Sequence, residues 1–250
     1  MKTTHSDIGN LDNIESTNFF IISMPNCGTT SLYGAFNRIE VHCALRVHSN
    51  YTLVKALNTD QTIESIIKRR DKIDAPFLIL SPYREPISRK ISQYYQYGLP
   101  TNKPFEQKEQ EIKNFCLGDF SLFKEGDKTE IDEDNVYDTI QRATEINMFD
   151  DYSSPGKAYY RKKRENLQII YFTLSNILEI EKYIKANLLP NFNMLHEKQS
   201  GNISEFFKIR DNICFTKEEL DKIYDNKYCL FFYNNDQLTA LKKKYSSARI

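Results

Sequence analysis

Residues 18–32 read NFFIISMPNCGTTSL, and this stretch decides the fold. The apolar run at 18–23 does not alternate with polar residues, which is typical of a strand buried on both faces of a parallel sheet. After a turn at 24–30, the apolar residues recur at i, i+3, i+4 and i+7, the spacing of one helix face. These residues are Leu32, Ala35, Phe36 and Ile39. The sequence therefore predicts a strand, a turn and an amphipathic helix in succession.

A second strand and helix follow the same logic. Residues 75–81 (APFLILS) predict a buried strand with Pro76 at its start, and Pro86 suits the first turn of the next helix. Ile87, Ile91 and Tyr94 mark the core side of that helix, which we expect to run to residue 97.

Further elements alternate along the chain. The patterns predict a short strand within 39–47, a helix at 61–70, weak helices at 105–115 and 136–148, a strong strand at 167–173, and helices after it. This alternation predicts an α/β fold with a mainly parallel sheet of four or five strands, flanking helices and additional C-terminal helices. We expect a loose lead-in at 1–17 and one domain over 18–250.

Composition limits the class of function. The 34 Lys and Arg balance the 34 Asp and Glu, which argues against a protein whose main task is to bind nucleic acid. Five widely spaced cysteines argue against a disulfide framework or a zinc ribbon and favour a reducing compartment. The polar N-terminus and the short apolar runs predict a cytoplasmic protein without a membrane span.

The turn at 25–31 (PNCGTTS) has the composition of an anion-binding loop. A turn of this kind before a helix directs backbone N–H groups and the helix dipole at one point, and the hydroxyls of Thr29, Thr30 and Ser31 can add hydrogen bonds. The Walker A spacing and its lysine are absent, which argues against an ATP kinase. The alternative is an ordinary helix capped by threonine.

A second anion site is predicted at 84–92 (REPISRKIS). Arg84 follows a strand, and Ser88 and Ser92 lie four residues apart on one helix face with Arg89 beside them. One guanidinium and one or two hydroxyls can hold a phosphate, the guanidinium in bidentate fashion. The alternative is a solvated helix face with ion pairs such as Glu85–Arg89.

Together the two turns resemble the sulfotransferase superfamily, whose members use 3′-phosphoadenosine-5′-phosphosulfate as the sulfuryl donor. The family pattern P-K-x-G-T-[ST]-[ST]-L is similar to residues 25–32 (PNCGTTSL). The pattern R-[DE]-P-[VI]-x-R-x-x-S-x-[YF] is similar to residues 84–94 (REPISRKISQY). The wider pattern, including 228–233 (YCLFFY), resembles bacterial sulfotransferase-like proteins of capsular polysaccharide synthesis.

The resemblance implies a P-loop-like fold of three layers (α/β/α) and a role for each matching residue. Residues 28–31 would hold the 5′-phosphosulfate, and Arg84 with Ser92 would hold the 3′-phosphate. The residues implied to contact the donor are Pro25, Asn26, Cys27, Gly28, Thr29, Thr30, Ser31, Arg84 and Ser92. The acceptor would be a hydroxyl of a saccharide or cell-surface polysaccharide, and no metal would be required.

One position departs from the family pattern. Asn26 stands where the family has a lysine that stabilises the leaving phosphate. A missing catalytic donor of this kind typically raises the barrier by ~3 kcal/mol or more. Arg46, Lys90 and Arg89 are candidates to supply the charge. The alternative function is a catalytically impaired nucleotide-binding or scaffolding protein of the same fold.

His48 is the predicted base for the acceptor hydroxyl, because an imidazole titrates near neutral pH. Some glycan sulfotransferases carry an H-x-H pair here, and residues 46–48 (RVH) keep only its second member. The alternative is a structural histidine at a strand end, with Glu85 as a reserve base.

Three short basic runs, at 68–70, 161–164 and 242–244, are expected to be solvated faces. The run at 161–164 has an alternative interpretation, as a site that attracts an anionic glycan or the nucleotide.

Overall fold

The computed structural model describes residues 19–38, 44–47, 62–96, 102–121, 133–150, 154–194 and 203–247. The chain divides into two compact units. The sheet unit comprises Met1–Tyr83, Gly126–Asp150 and Ala158–Lys198, and the helical unit comprises Arg84–Glu125, Asp151–Lys157 and Gln199–Ile250. The lead-in predicted at 1–17 lies outside the described residues, and the single domain over 18–250 stays a prediction.

Within the described residues, the sheet unit holds a sheet of five strands in the order β2-β1-β3-β5-β4. The strands are β1 (Phe19–Ile22), β2 (Ala44–Val47), β3 (Phe77–Tyr83), β4 (Tyr159–Arg164) and β5 (Leu167–Thr173). The pairs β1–β2, β1–β3 and β3–β5 are parallel, and β4–β5 is antiparallel. The protein therefore belongs to the α/β class with a mixed sheet.

Helices are present in both units. In the sheet unit they are α1 (Thr29–Arg38), α2 (Ile63–Asp71), α5 (Glu133–Thr144), the 3-10 turn Leu174–Asn176 and α6 (Ile177–Asn187). In the helical unit they are α3 (Pro86–Gln96), α4 (Phe105–Cys116), α7 (Ile203–Asn212), α8 (Lys217–Tyr224), α9 (Lys227–Phe232) and α10 (Asn235–Tyr245). The helices expected after β5 are present.

One face of the sheet packs against α1 and α6. Alternate strand residues such as Ile21, Leu80 and Phe172 are fully buried there, together with Phe36 of α1 and Ile180 of α6. The predicted positions Leu32, Ala35 and Phe36 are all buried, which confirms the core side of α1. Ile39, the fourth of that set, lies outside the described residues.

The opposite face packs against α2 and α5. Tyr137 of α5 lies with its ring centroid 6.3 Å from the rings of both Tyr83 and Tyr171. Ile66 and Ile67 of α2 are buried, as the spacing of apolar residues predicted. Because helices cover both faces, the central strands β1 and β3 are buried along their whole length.

The strand order of the sheet reverses at β1, because the next two strands pair with opposite edges of it. The chain pairs β2 on one side of β1 and then returns to place β3 on the other side. In open α/β sheets, ligands bind outside the carboxyl ends of the strands at such a switch point. The carboxyl ends of β1 and β3 are therefore where a site is expected in the sheet unit.

β3 and β4 differ from the sequence-based expectations. β3 begins after Pro76 and extends through Pro82, beyond Leu80, the last residue paired with β1. A strand tolerates a residue without an N–H donor where a neighbouring ladder has ended. Residues 161–164 were expected as a solvated run, and Arg161 and Lys163 are indeed exposed. These residues also lie in β4, which was not predicted, and pair with β5 across a turn at Glu165.

Arg70 corrects the expectation for the first basic run. Its side chain is fully buried, and its guanidinium lies 5.0 Å from the centre of the Phe77 ring. Nη1 donates to the carbonyl of Ala75 and Nη2 to that of Pro76, each at 3.1 Å. Burial lowers the pKa of Arg70. This side chain satisfies the backbone that leads from α2 into β3, whereas Arg69 beside it is exposed.

We expect Arg70→Met to lower the free energy of unfolding by about 2–4 kcal/mol, because it removes a fully buried side chain and the charged donor of two backbone carbonyls. Arg69→Met is the matched control and should change stability by less than about 0.5 kcal/mol. Urea denaturation followed by far-ultraviolet circular dichroism is the suitable measurement, since the chain has no tryptophan. Equal stabilities of the two variants would contradict this account of Arg70.

Candidate functional site

The loop between β1 and α1 has an unusual backbone. Asn26 has a φ of 65° and Gly28 a φ of 79°, both in the left-handed region. Asparagine and glycine adopt that region more readily than other residues do. The carbonyl of Gly28 accepts the N–H of Leu32 at 3.3 Å, which makes Gly28 the residue that caps α1. The loop therefore ends at the first turn of a helix, where N–H groups have acceptors only outside the helix.

A side chain from another strand end holds the loop against the sheet. A Cβ atom on Gly28 would lie 2.5 Å from Cδ1 of Leu174, which follows β5. Cys27 is fully buried, and its thiol points to the carbonyl of Pro25 at 3.8 Å. A side chain at position 28 would have to displace Leu174 and adopt a left-handed φ, so glycine is favoured there.

Exposure divides the predicted donor-binding residues of this loop into two groups. Pro25, Cys27 and Thr29 are buried and belong to the packing of the loop. Asn26, Gly28, Thr30 and Ser31 are partly exposed. The second group supplies the hydroxyls of Thr30 and Ser31 and backbone N–H groups at a helix N-terminus, a set of donors suited to a phosphate or sulfate. The amide nitrogen of Asn26 is itself buried.

The second predicted segment belongs to the helical unit. Pro86 is the first residue of α3, as expected, and Arg84 precedes the helix. Arg84 is partly exposed, and its guanidinium lies 5.9 Å from the ring centre of Phe206. Ser92 is partly exposed on α3. The helical unit therefore presents a cation before its helix and a hydroxyl within it.

Glu85 has a role that the sequence analysis did not assign. Its carbonyl accepts the N–H of Arg89 at 3.0 Å, so Glu85 caps α3. Its Oε1 accepts the N–H of Ile87 and its Oε2 that of Ser88, both at 2.8 Å. A carboxylate at a helix N-terminus also interacts favourably with the helix dipole. These contacts argue against Glu85 as a reserve base, because its lone pairs are already occupied.

Two tyrosines complete the environment of Glu85. Tyr224 donates its hydroxyl to Oε1 at 2.5 Å, and Tyr245 donates to Oε2 at 3.3 Å. The Tyr245 hydroxyl also lies 3.1 Å from the hydroxyl of Ser88. Burial and the Glu85 charge raise the pKa of Tyr224 and of Tyr245 well above that of a free tyrosine. Both hydroxyls therefore stay protonated and act as donors.

The candidates to replace the family's lysine have different surroundings. The ammonium of Lys90 lies 4.2 Å from the ring centre of Phe115 and 4.6 Å from that of Phe120. Arg89 is also buried in the helical unit. Arg46 lies in β2, but its side chain is outside the described part of the structure. The Lys90 contacts are those of a structural cation–π cluster.

His48, the predicted base, lies outside the described residues, as do the other three histidines. Its role therefore stays a prediction. Within the described ranges, no group of three His, Cys, Asp or Glu residues is placed to hold a metal ion. No helix in those ranges is both long enough and apolar enough to cross a bilayer.

Gln93 of α3 is a further residue that the sequence analysis missed. Its side chain is fully buried, and neither amide atom has a hydrogen-bond partner among the described residues. A buried polar group without a partner costs about 1–3 kcal/mol, and such groups in native proteins commonly contact a water or a ligand. Nothing in a glutamine between Ser92 and Tyr94 distinguishes it from a surface residue at the sequence level.

No protein-family model matches the chain, and no curated protein matches it. Any function must therefore be argued from the residues themselves.

We expect Gly28→Ala to lower the free energy of unfolding by about 2–3 kcal/mol, from a strained φ and from displacement of Leu174. Gly118→Ala is the control, because Gly118 has a φ of 99° but no atom of the described residues lies within 4 Å of an added Cβ. That variant should lose only about 1 kcal/mol. Urea denaturation of both variants measures the difference. Equal losses would show that Leu174 exerts no constraint on the loop.

Proposed function

We propose that this protein is a sulfotransferase, which moves a sulfuryl group from 3′-phosphoadenosine-5′-phosphosulfate to a hydroxyl of a saccharide or cell-surface polysaccharide. The observation that carries the proposal is the loop after β1. It lies at the switch point of the sheet, with two left-handed residues and with the partly exposed residues Thr30 and Ser31 at the start of α1. We further propose that the sheet unit is P-loop-like with three layers, which the helices on both faces of the sheet support.

We base the fit to an anionic group on the backbone of the loop, which is held by a packing contact and by a helical turn. Gly28 is fixed by Leu174, and the first turn of α1 fixes Thr30 and Ser31. Fixed donors stabilise charge at lower cost than solvent dipoles, which must reorient. The proposed role of this loop is to hold the 5′-phosphosulfate and to accept charge on the phosphate as the sulfuryl group leaves.

The helical unit supports the second half of the proposal. Arg84 offers a planar, permanently charged group with several donors, and Ser92 a hydroxyl. A 3′-phosphate accepts hydrogen bonds from both. The Glu85 cap and the Phe206 ring restrict the residues that carry this cation. The proposed role of Arg84 and Ser92 is therefore to bind the 3′-phosphate and so distinguish this donor from nucleotides without it.

The proposed transfer breaks the S–O bond to the 5′-phosphate and forms an S–O bond to the acceptor oxygen. The acceptor hydroxyl loses its proton, which we assign to His48 as general base. The negative charge that remains on the phosphate is stabilised by the loop donors. The reaction as written needs no oxidant, reductant or metal. We also propose a cytoplasmic location, which the odd number of widely spaced cysteines supports.

Asn26 supports the alternative function. Its left-handed φ explains why asparagine is favoured at this position, since its short polar side chain tolerates that backbone better than a lysine does. An amide there donates a hydrogen bond but brings no charge to the leaving phosphate. A nucleotide-binding or scaffolding protein with impaired catalysis is therefore the second candidate function.

The donor site can be tested with 3′-phosphoadenosine-5′-phosphate, the desulfated product. We expect isothermal calorimetry to show binding, and Arg84→Met to weaken it about 10- to 100-fold through loss of charge-assisted hydrogen bonds. AMP, which lacks the 3′-phosphate, should bind wild type and variant alike. Arg142→Met is the control, because it removes an equal charge from an exposed ion pair with Glu64. No binding of the bisphosphate to wild type at near-millimolar concentration would refute the proposed function.

Substitution at Asn26 separates the two candidate functions. If the missing charge limits turnover, Asn26→Lys should raise the rate about 100-fold, the contribution typical of one donor to a developing anion. Asn26→Gln is the matched control, because it loses the left-handed preference without gaining charge. Transfer of labelled sulfate to a panel of saccharides gives the rates. Binding of the bisphosphate with no transfer by any of the three proteins would favour the scaffolding function.

A further inference from the structure

The Glu85 carboxylate joins three separate segments of the helical unit. It accepts hydrogen bonds from the backbone of α3, from Tyr224 at the end of α8 and from Tyr245 at the end of α10. Tyr224 is fully buried, and so is Tyr245. Hydrogen bonds to a charged acceptor in such surroundings are stronger than those between neutral groups. The residue next to this junction is Arg84.

The two tyrosines are themselves held firmly. Lys242 of α10 donates to Asp221 at 2.7 Å and to Asp225 at 2.8 Å, which ties α10 to the end of α8. The backbone of Phe215 donates to the carbonyl of Tyr245 at 2.9 Å, and Ser247 donates to that of Phe215 at 3.1 Å. The C-terminal helices therefore present both hydroxyls from fixed positions.

We propose that Glu85, Tyr224 and Tyr245 form a positioning network for Arg84, through which the C-terminal helices set the affinity for a 3′-phosphate. This inference rests on the proposed function, because it assigns Arg84 to that phosphate. None of the three residues needs to contact the nucleotide. Their effect passes through the backbone at Glu85, which fixes where α3 begins.

The physical reason is the precision that a bidentate contact requires. A guanidinium must match two phosphate oxygens in distance and angle, and a supporting shell of hydrogen bonds keeps the side chain near that geometry. When Tyr224 loses its hydroxyl, Oε1 of Glu85 still accepts the N–H of Ile87. Glu85 loses the hydrogen bond from Tyr224, the shorter of its two tyrosine contacts. The carboxylate then rotates more freely, and the residues at the cap gain conformational freedom that binding must remove.

The test compares two ligands across three variants. Tyr224→Phe should weaken binding of 3′-phosphoadenosine-5′-phosphate about five- to tenfold in calorimetry and leave AMP binding unchanged. Tyr245→Phe should have a smaller effect in the same direction, because its contact with Oε2 is longer, 3.3 Å against 2.5 Å. Tyr94→Phe is the matched control, since Tyr94 donates to Glu111 at 2.6 Å in the same unit and has no contact with Glu85 in the described residues. It should bind both ligands as the wild type does.

The outcomes separate the inference from the function on which it rests. Wild type that fails to bind the bisphosphate overturns both. Wild type that binds it, with Arg84→Met weakened but Tyr224→Phe and Tyr245→Phe unchanged, overturns the network alone. Equal weakening of both ligands in the tyrosine variants also overturns it, because that result indicates a general loss of structure. If Tyr224→Phe does not fold, the Tyr245→Phe comparison decides the question.

Discussion

The parallel pairing of β3 with both β1 and β5 is the constraint on which the sheet unit depends. β3 contacts β1 from Leu78 to Leu80 and β5 over its full length, and all seven of its residues are buried. A strand buried on both faces needs helices on both sides, which explains α1 and α6 on one face and α2 and α5 on the other. The same pairing directs the carboxyl ends of β1, β3 and β5 to one edge, so that Leu174 can pack against Gly28.

Elements with strong apolar patterns could be predicted from the sequence. β5 has the predicted bounds, and α3 buries the three residues that its spacing indicated, Ile87, Ile91 and Tyr94. The residues of β4 gave no such signal, because YYRKKR contains no apolar alternation and its pairing comes from a hairpin with β5. Arg70 was mistaken for a solvated residue since local sequence does not reveal two carbonyls that require a buried donor.

The candidate site shows the same division between local and distant information. The residue types of the loop at 25–31 and of Arg84 and Ser92 are readable in the sequence, and so is Pro86 as the start of a helix. The left-handed backbone of Asn26 is a local property that the pattern did not indicate. The side-chain donors to Glu85 are Tyr224 and Tyr245, which lie 139 and 160 residues away along the chain, and no spacing rule connects them to it.

β4 is an edge strand of the sheet, and its composition has a consequence for encounters between copies of the protein. A strand at the rim of a sheet offers unpaired backbone groups to any other strand. Arg161 and Lys163 are exposed and point to the same face of β4, since they are two residues apart. A second copy approaching edge to edge would bring like charges together. The repulsion between these cations disfavours intermolecular strand addition at β4, although the chain as a whole carries no net charge.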